Sequence, residues 1–178
     1  MNQDRLFTGY YWGDRFGAVE KTLDNAGSMW FILPDEGVGA DELLNDAQVM
    51  EFILAGHGWE QKEKMMVNLS VPKFDVVSQR DLKSGLQELG VTDVFDGAAS
   101  DFNPLTTDAE GICVQKVQHD ARVVIDEEGC TATAYTAMIL LGGVPSGDEI
   151  DFVLDRPFVF VLTGLDGLPL FVGVVNKP

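Results

Sequence analysis

Residues 129–147 read GCTATAYTAMILLGGVPSG, a stretch with no charge in a chain that has 12 Lys and Arg, 29 Asp and Glu and a net charge of -17. Acidic pairs flank it, Glu127-Glu128 before and Asp148-Glu149 after. In an extended conformation successive side chains point to opposite faces. Cys130, Ala132, Ala134, Thr136, Met138 and Leu140 then form one face, small at first and apolar later. Thr131, Thr133, Tyr135, Ala137, Ile139 and Leu141 form the other, whose first three members carry hydroxyls. Two readings stay open on this pattern: a permanent amphipathic strand, or a strand with two places to go. The tail Gly142-Gly143-Val144-Pro145-Ser146-Gly147 is turn-prone and fits both.

The 178 residues, 46% of them hydrophobic, suffice for one domain with a substantial core. Apolar runs are short and cut by Gly, Pro or charge, so no membrane span is expected. The N-terminal MNQDRLFTG lacks a basic region followed by an apolar core, so no signal peptide is visible. A pI near 4.2 argues against nucleic acid and anionic membranes as partners. Cys113 and Cys130 are expected to be free thiols. One continuous strand between them would hold them roughly 56 Å apart, far beyond the about 7 Å that a disulfide tolerates.

Outward from the uncharged run, Ser28 to Leu33 reads as a buried strand closed by the turn Pro34-Asp35-Glu36-Gly37. A helix is expected over 40–55, ended by Gly56, and another over 81–89 with Leu82, Leu86 and Leu89 as its stripe and Gly90 as its stop. Met66 to Phe74 is strand-like, with Val67, Leu69 and Val71 on one face. A long strand is expected over 112–126. Residues 157–162 and 170–175 are continuously apolar and are expected to be buried on both faces, joined by a hairpin over 163–169. The sum is a β-rich α+β domain with a few short helices.

Residues for catalysis are sparse. His57 and His119 belong to no metal-spaced cluster, and no cofactor motif is present. On its own, His119 reads as a structural histidine in the long strand. Glu127 and Glu128 are adjacent in an extended segment, so they point to opposite faces and cannot share one acid/base site. The residues therefore point away from an enzyme.

Four blocks together resemble the serpins, the serine protease inhibitor superfamily. Val124-Ile125-Asp126-Glu127-Glu128-Gly129, followed by small residues, resembles the hinge at the base of their reactive loop. Asp155-Arg156-Pro157-Phe158-Val159-Phe160 and the ending from Pro169 to Pro178, with its Phe-x-Gly-x-Val-x-x-Pro pattern, resemble the closing strands. Ser70-Val71-Pro72-Lys73-Phe74, Asp81-Leu82-Lys83 and the segment Leu89 to Phe95 resemble the strand and helix before the loop. Phe31 to Gly37 matches a further strand and turn.

The resemblance implies a single partial serpin domain over 1–178: the C-terminal half, with parts of sheets A, B and C, beginning inside sheet C and lacking the family's first half. It implies a hinge and reactive centre loop over 127–147. A protease cleaves the loop, is held as an acyl-enzyme, and is trapped when the freed hinge inserts as a new strand. The hinge is Glu127, Glu128, Gly129, Cys130, Thr131, Ala132, Thr133 and Ala134. Its small uncharged face suits burial, no proline interrupts 129–144, and Gly129 suits a pivot. Cys130-Thr131 stands where the family usually has Thr-Glu. The usual loop length places the scissile bond near Leu141, Gly142, Gly143 and Val144, with Gly143 as the nominal cleavage residue. His119 matches the family histidine that helps hold the central sheet closed.

The resemblance further implies a target serine protease, elastase- or chymotrypsin-like because no Lys or Arg is near the bond, with a cysteine protease as a further candidate. It also implies an extracellular or secreted location. Because the loop normally inserts beside a strand outside this chain, the chain alone is expected not to inhibit. Two other readings compete: a non-inhibitory serpin acting as a binding or chaperone-like module, and a half that pairs with the missing N-terminal half or oligomerises through open sheet edges.

Overall fold

Met29, Phe31 and Leu33 point to one side of an eight-residue strand and Trp30 and Ile32 to the other, and all five are buried. A strand that is apolar on both faces has to lie inside a sheet with both faces covered. The computed structural model describes residues 2–23, 27–106, 108, 111–126 and 149–178. These form two compact units, Met1–Val76 with Val124–Pro178, and Val77–Val123.

The first unit is built on a seven-stranded sheet. Its strands are β1 (Asn2–Trp12), β2 (Phe16–Leu23), β3 (Gly27–Pro34), β4 (Lys62–Val71), β7 (Glu149–Val153), β8 (Phe158–Thr163) and β9 (Pro169–Val175). Their spatial order is β7-β4-β1-β2-β3-β8-β9, antiparallel throughout except for the parallel pair β4 and β7. β1 and β2 continue through a tight turn in which Gly13 N–H donates to the Phe16 carbonyl at 3.0 Å.

One face of this sheet is covered by α1 (Ala40–Leu43) and α2 (Ala47–Ala55), which bury Leu43, Val49, Phe52 and Ile53 against Tyr11, Phe16, Trp30, Ile32, Val159 and Val161. Phe52 sits at the centre of an aromatic cluster, with Phe16 at 5.1 Å, Trp59 at 5.6 Å, Trp30 at 5.7 Å and Tyr11 at 5.9 Å between ring centroids. Rings at these separations gain edge and offset contacts beyond simple burial. On the other face Phe74 packs on Phe158 at 5.8 Å and on Phe160 at 5.2 Å. This accounts for the apolar run of β8, whose first four residues are all buried.

Several expectations are corrected. The helix expected over 40–55 is two helices, because the Asp46 side chain accepts from Gln48 N–H at 2.9 Å and starts α2 afresh. Gly56, at φ +50°, ends it as expected. The strand expected over 66–74 places Val67, Leu69 and Val71 on the buried face. It breaks at Pro72, however, giving β4 and then β5 (Phe74–Asp81). Residues 170–175 are not buried on both faces. β9 is the sheet's edge strand, and Leu170, Phe171 and Val172 are 58%, 40% and 47% exposed.

The second unit carries α3 (Lys83–Glu88) and a 3-10 turn at Asp93–Phe95. β5 and β6 (Gln118–Ile125), which extend across the boundaries between the units, form a two-stranded sheet. The long strand expected over 112–126 is therefore only its final portion. Residues before Gln118 are spent on other contacts: Val114 N–H donates to the Val94 carbonyl at 2.8 Å, and the Val117 carbonyl accepts from Leu82 N–H at 2.8 Å. Gly90, at φ +91°, stops the helical segment as expected. The stripe expected on it is not a core, since Leu82 is 38% and Leu89 is 82% exposed. No described residue of 77–123 is buried.

Candidate functional site

Two strands bracket the uncharged segment. β6 ends at Ile125 in the two-stranded sheet, and β7 begins at Glu149 in the seven-stranded one. The segment is thus a connection from one sheet to another. The hinge residues Glu127, Glu128, Gly129, Cys130, Thr131, Ala132, Thr133 and Ala134 lie outside the described residues, as do Leu141, Gly142, Gly143 and Val144 of the reactive bond region.

Ahead of the segment, alternation along β6 sets its two faces. His119, Ala121, Val123 and Ile125 share one, and burial deepens along it from the exposed His119 to the buried Ile125. Among the described residues β6 pairs with β5 alone, which leaves its second edge unpaired. Cys113 is a free thiol, and Gln115 Nε2 lies 2.9 Å from its Sγ.

After the segment, β7 buries Phe152, and Leu154 follows it into the interior. Leu154 N–H donates to the Ser70 carbonyl at 3.0 Å. Glu149, Asp151 and Val153 share the opposite face of β7. There Asn68 Nδ2 donates to Glu149 Oε1 at 3.0 Å and to Asp151 Oδ1 at 2.8 Å, and Arg5 Nη2 donates to Glu149 Oε2 at 3.2 Å. The sequence reading missed this strand and its polar partners. The period-2 pattern Glu149-Ile150-Asp151-Phe152-Val153 carried the signal.

A buried carboxylate was also missed. Glu20 on β2 accepts from Ser28 Oγ at 2.5 Å, and His57 Nε2 lies 2.7 Å from its other oxygen. The Tyr11 phenol is pushed above its ordinary range by burial and, secondarily, by the Glu20 charge. Tyr10 is pushed up by burial and then by Asp35. His57 also stands at the rim of a cleft of about 260 Å³ lined by Trp30, Phe52, Val161, Thr163 and Leu168. His119, the sequence-predicted site residue that lies among the described residues, does not line that cleft. Among the described residues no group of three His, Cys, Asp or Glu could hold a metal ion, and no helix is long and apolar enough to cross a membrane.

A family model described as Serpin (serine protease inhibitor) matches residues 1–178. Alpha-1-antiproteinase of Bos taurus is 32% identical over 183 residues, covering 100% of this chain and 41% of that protein. Glia-derived nexin of Homo sapiens is 37% identical over 113 residues, 63% of this chain and 28% of that protein. Among solved structures, the thermophilic serpin tengpin in its native state is similar with a TM-score of 0.75 at 26% identity. That match covers 99% of this chain and 45% of that one. The chain spans less than half the length of these relatives. Its large sheet and few short helices accord with a C-terminal serpin portion. The chain belongs to the serpin family.

Proposed function

We propose that residues 1–178 are the C-terminal half of an inhibitory serpin and form one partial domain, in which 127–147 is the hinge and reactive centre loop. The observation that carries this reading is the uncharged segment leaving one sheet at Ile125 and entering another at Glu149. A segment tethered at both ends to separate sheets can be offered as bait. Once cut between Leu141 and Val144, it retains a free hinge, Glu127 to Ala134, still attached to β6. Its face of Cys130, Ala132 and Ala134 can be buried without stranding a charge. The second edge of β6, unpaired among the described residues, is where an inserted strand would hydrogen-bond, with His119 on the neighbouring stretch helping to close the sheet.

On this reading the partner is a serine protease of the elastase or chymotrypsin type, the protein is an inhibitor rather than an enzyme, and it acts outside the cell. The chain works only together with the remainder of the fold. The test is thermal unfolding before and after a single cut in 127–147, in the chain completed to the length of its relatives. Insertion adds a strand, so the unfolding temperature should rise by tens of degrees. No rise would favour a non-inhibitory serpin that acts as a binding module.

A second reading concerns the chain by itself. Leu170, Phe171 and Val172 on the edge strand β9 are all exposed, an arrangement that favours pairing with another chain. Size-exclusion chromatography of residues 1–178 should show an oligomer, and a compact stable monomer would refute it.

A further inference from the structure

One polar rung crosses three strands. Arg5 on β1 is the register partner of Asn68 on β4, and Asn68 is the register partner of Asp151 on β7. Glu149 and Asp151, two residues apart, share a face of β7, where like charges repel. The Asn68 amide gives one bond to each carboxylate, and Arg5 adds a bond to Glu149. Bonds from such donors to charged acceptors are the stronger kind.

The rest of β7's attachment is modest at this end. It is an edge strand with five register pairs to β4, in the parallel arrangement that is less stable per residue. Its buried anchors, Phe152 and then Leu154, lie toward its C-terminus, whereas Glu149 is exposed and Ile150 half-buried. The polar rung is therefore what grips the end of β7 next to residues 127–148.

We propose that Asn68 is a positioning residue for the C-terminal end of the 127–147 segment. Its amide bridges and aligns the two carboxylates at the acidic start of β7 while Arg5 offsets the charge of Glu149, and without the amide β7 peels from the sheet beginning at Glu149. The functional meaning rests on reading 127–147 as a reactive loop, because this grip sets where the distal end of the bait is held.

Asn68→Asp tests the proposal at nearly constant shape. It replaces two donors with a third carboxylate facing Glu149 and Asp151. Combining it with Asp151→Asn swaps the pair across the strands and restores a donor. Amide hydrogen exchange of the intact chain, resolved to residues 149–153, should be about tenfold faster in the single variant. Exchange over 158–163 should be unchanged, and the swapped pair should return β7 to within about threefold of the original. Unchanged exchange at 149–153, an equal rise over 158–163, or no recovery in the swapped pair would overturn the proposal. No protease enters this measurement. A missing inhibitory complex would therefore count against the inhibitor reading alone.

Discussion

Gly173 on β9 lies directly opposite Phe160 on β8, and a Cβ placed on it would fall 2.5 Å and 2.6 Å from two atoms of the Phe160 ring. Phe160 is 1% exposed and cannot turn away. The glycine of the closing Phe-x-Gly-x-Val pattern is thus fixed by a cross-strand ring. Gly173→Ala should destabilise the chain by about 1–3 kcal/mol, the usual cost of overpacking. Gly58→Ala, which meets nothing within 4 Å, is the control and should be near neutral. Urea midpoints of both variants make the comparison, and equal midpoints would remove the ring as the reason for the glycine.

Gly27 opens β3 at φ +97°, where a Cβ would lie 2.0 Å from the Thr163 carbonyl oxygen. The obstacle is backbone, so no rotamer change can relieve it. Gly27→Ala should cost about 2–4 kcal/mol, combining left-handed strain with displacement of β8. The same urea series reads it, and the loss should exceed that of Gly173→Ala.

Arg156 reaches back to the end of β3. Its Nε and Nη2 both donate to the Pro34 carbonyl, at 3.2 and 3.0 Å. This ties the Asp155-Arg156-Pro157-Phe158 entry into β8 to the turn after β3. The side chain is 40% exposed, so Arg156→Ala should cost only about 1 kcal/mol. Arg156→Lys, which cannot fork onto one oxygen, should recover less than half of it.

Alkaline stability should depend on Tyr11. An unfolded tyrosine titrates near 10, and in the folded chain burial and then Glu20 raise the Tyr11 value. The folded state then keeps a proton that the unfolded state gives up. Its contribution is complete below about pH 10 and is lost as pH rises through the raised folded value. Unfolding midpoints should fall from about pH 10 upward. Tyr11→Phe should flatten that fall, and an identical slope in the variant would contradict the assignment.

What the sequence disclosed depended on how each strand meets water. β3 and β8 are covered on both faces, so Met29 to Leu33 and Phe158 to Val161 read as unbroken apolar runs. β9 has the same apolar look, yet it lies at the edge, and composition does not encode a missing neighbour. β1 and β2 escaped notice because their charges are paired within the sheet: Lys21 with Asp4, and Glu20 with Ser28 and His57. Such charges interrupt an apolar pattern without leaving the fold. At the site, the uncharged 129–147 run was legible because charge is so dense around it. Asn68, an ordinary polar residue in sequence, acquires its role only when β4 lies beside β7.

The central claim is that the 127–147 segment is bait followed by an inserting strand. The most direct measurement mixes the chain, completed to the length of its relatives, with an elastase-like and a chymotrypsin-like protease and resolves the products on a denaturing gel. The account expects a covalent complex that survives denaturation, with the cut between Leu141 and Val144. Clean cleavage by every such protease, with both fragments released and no complex, would contradict it.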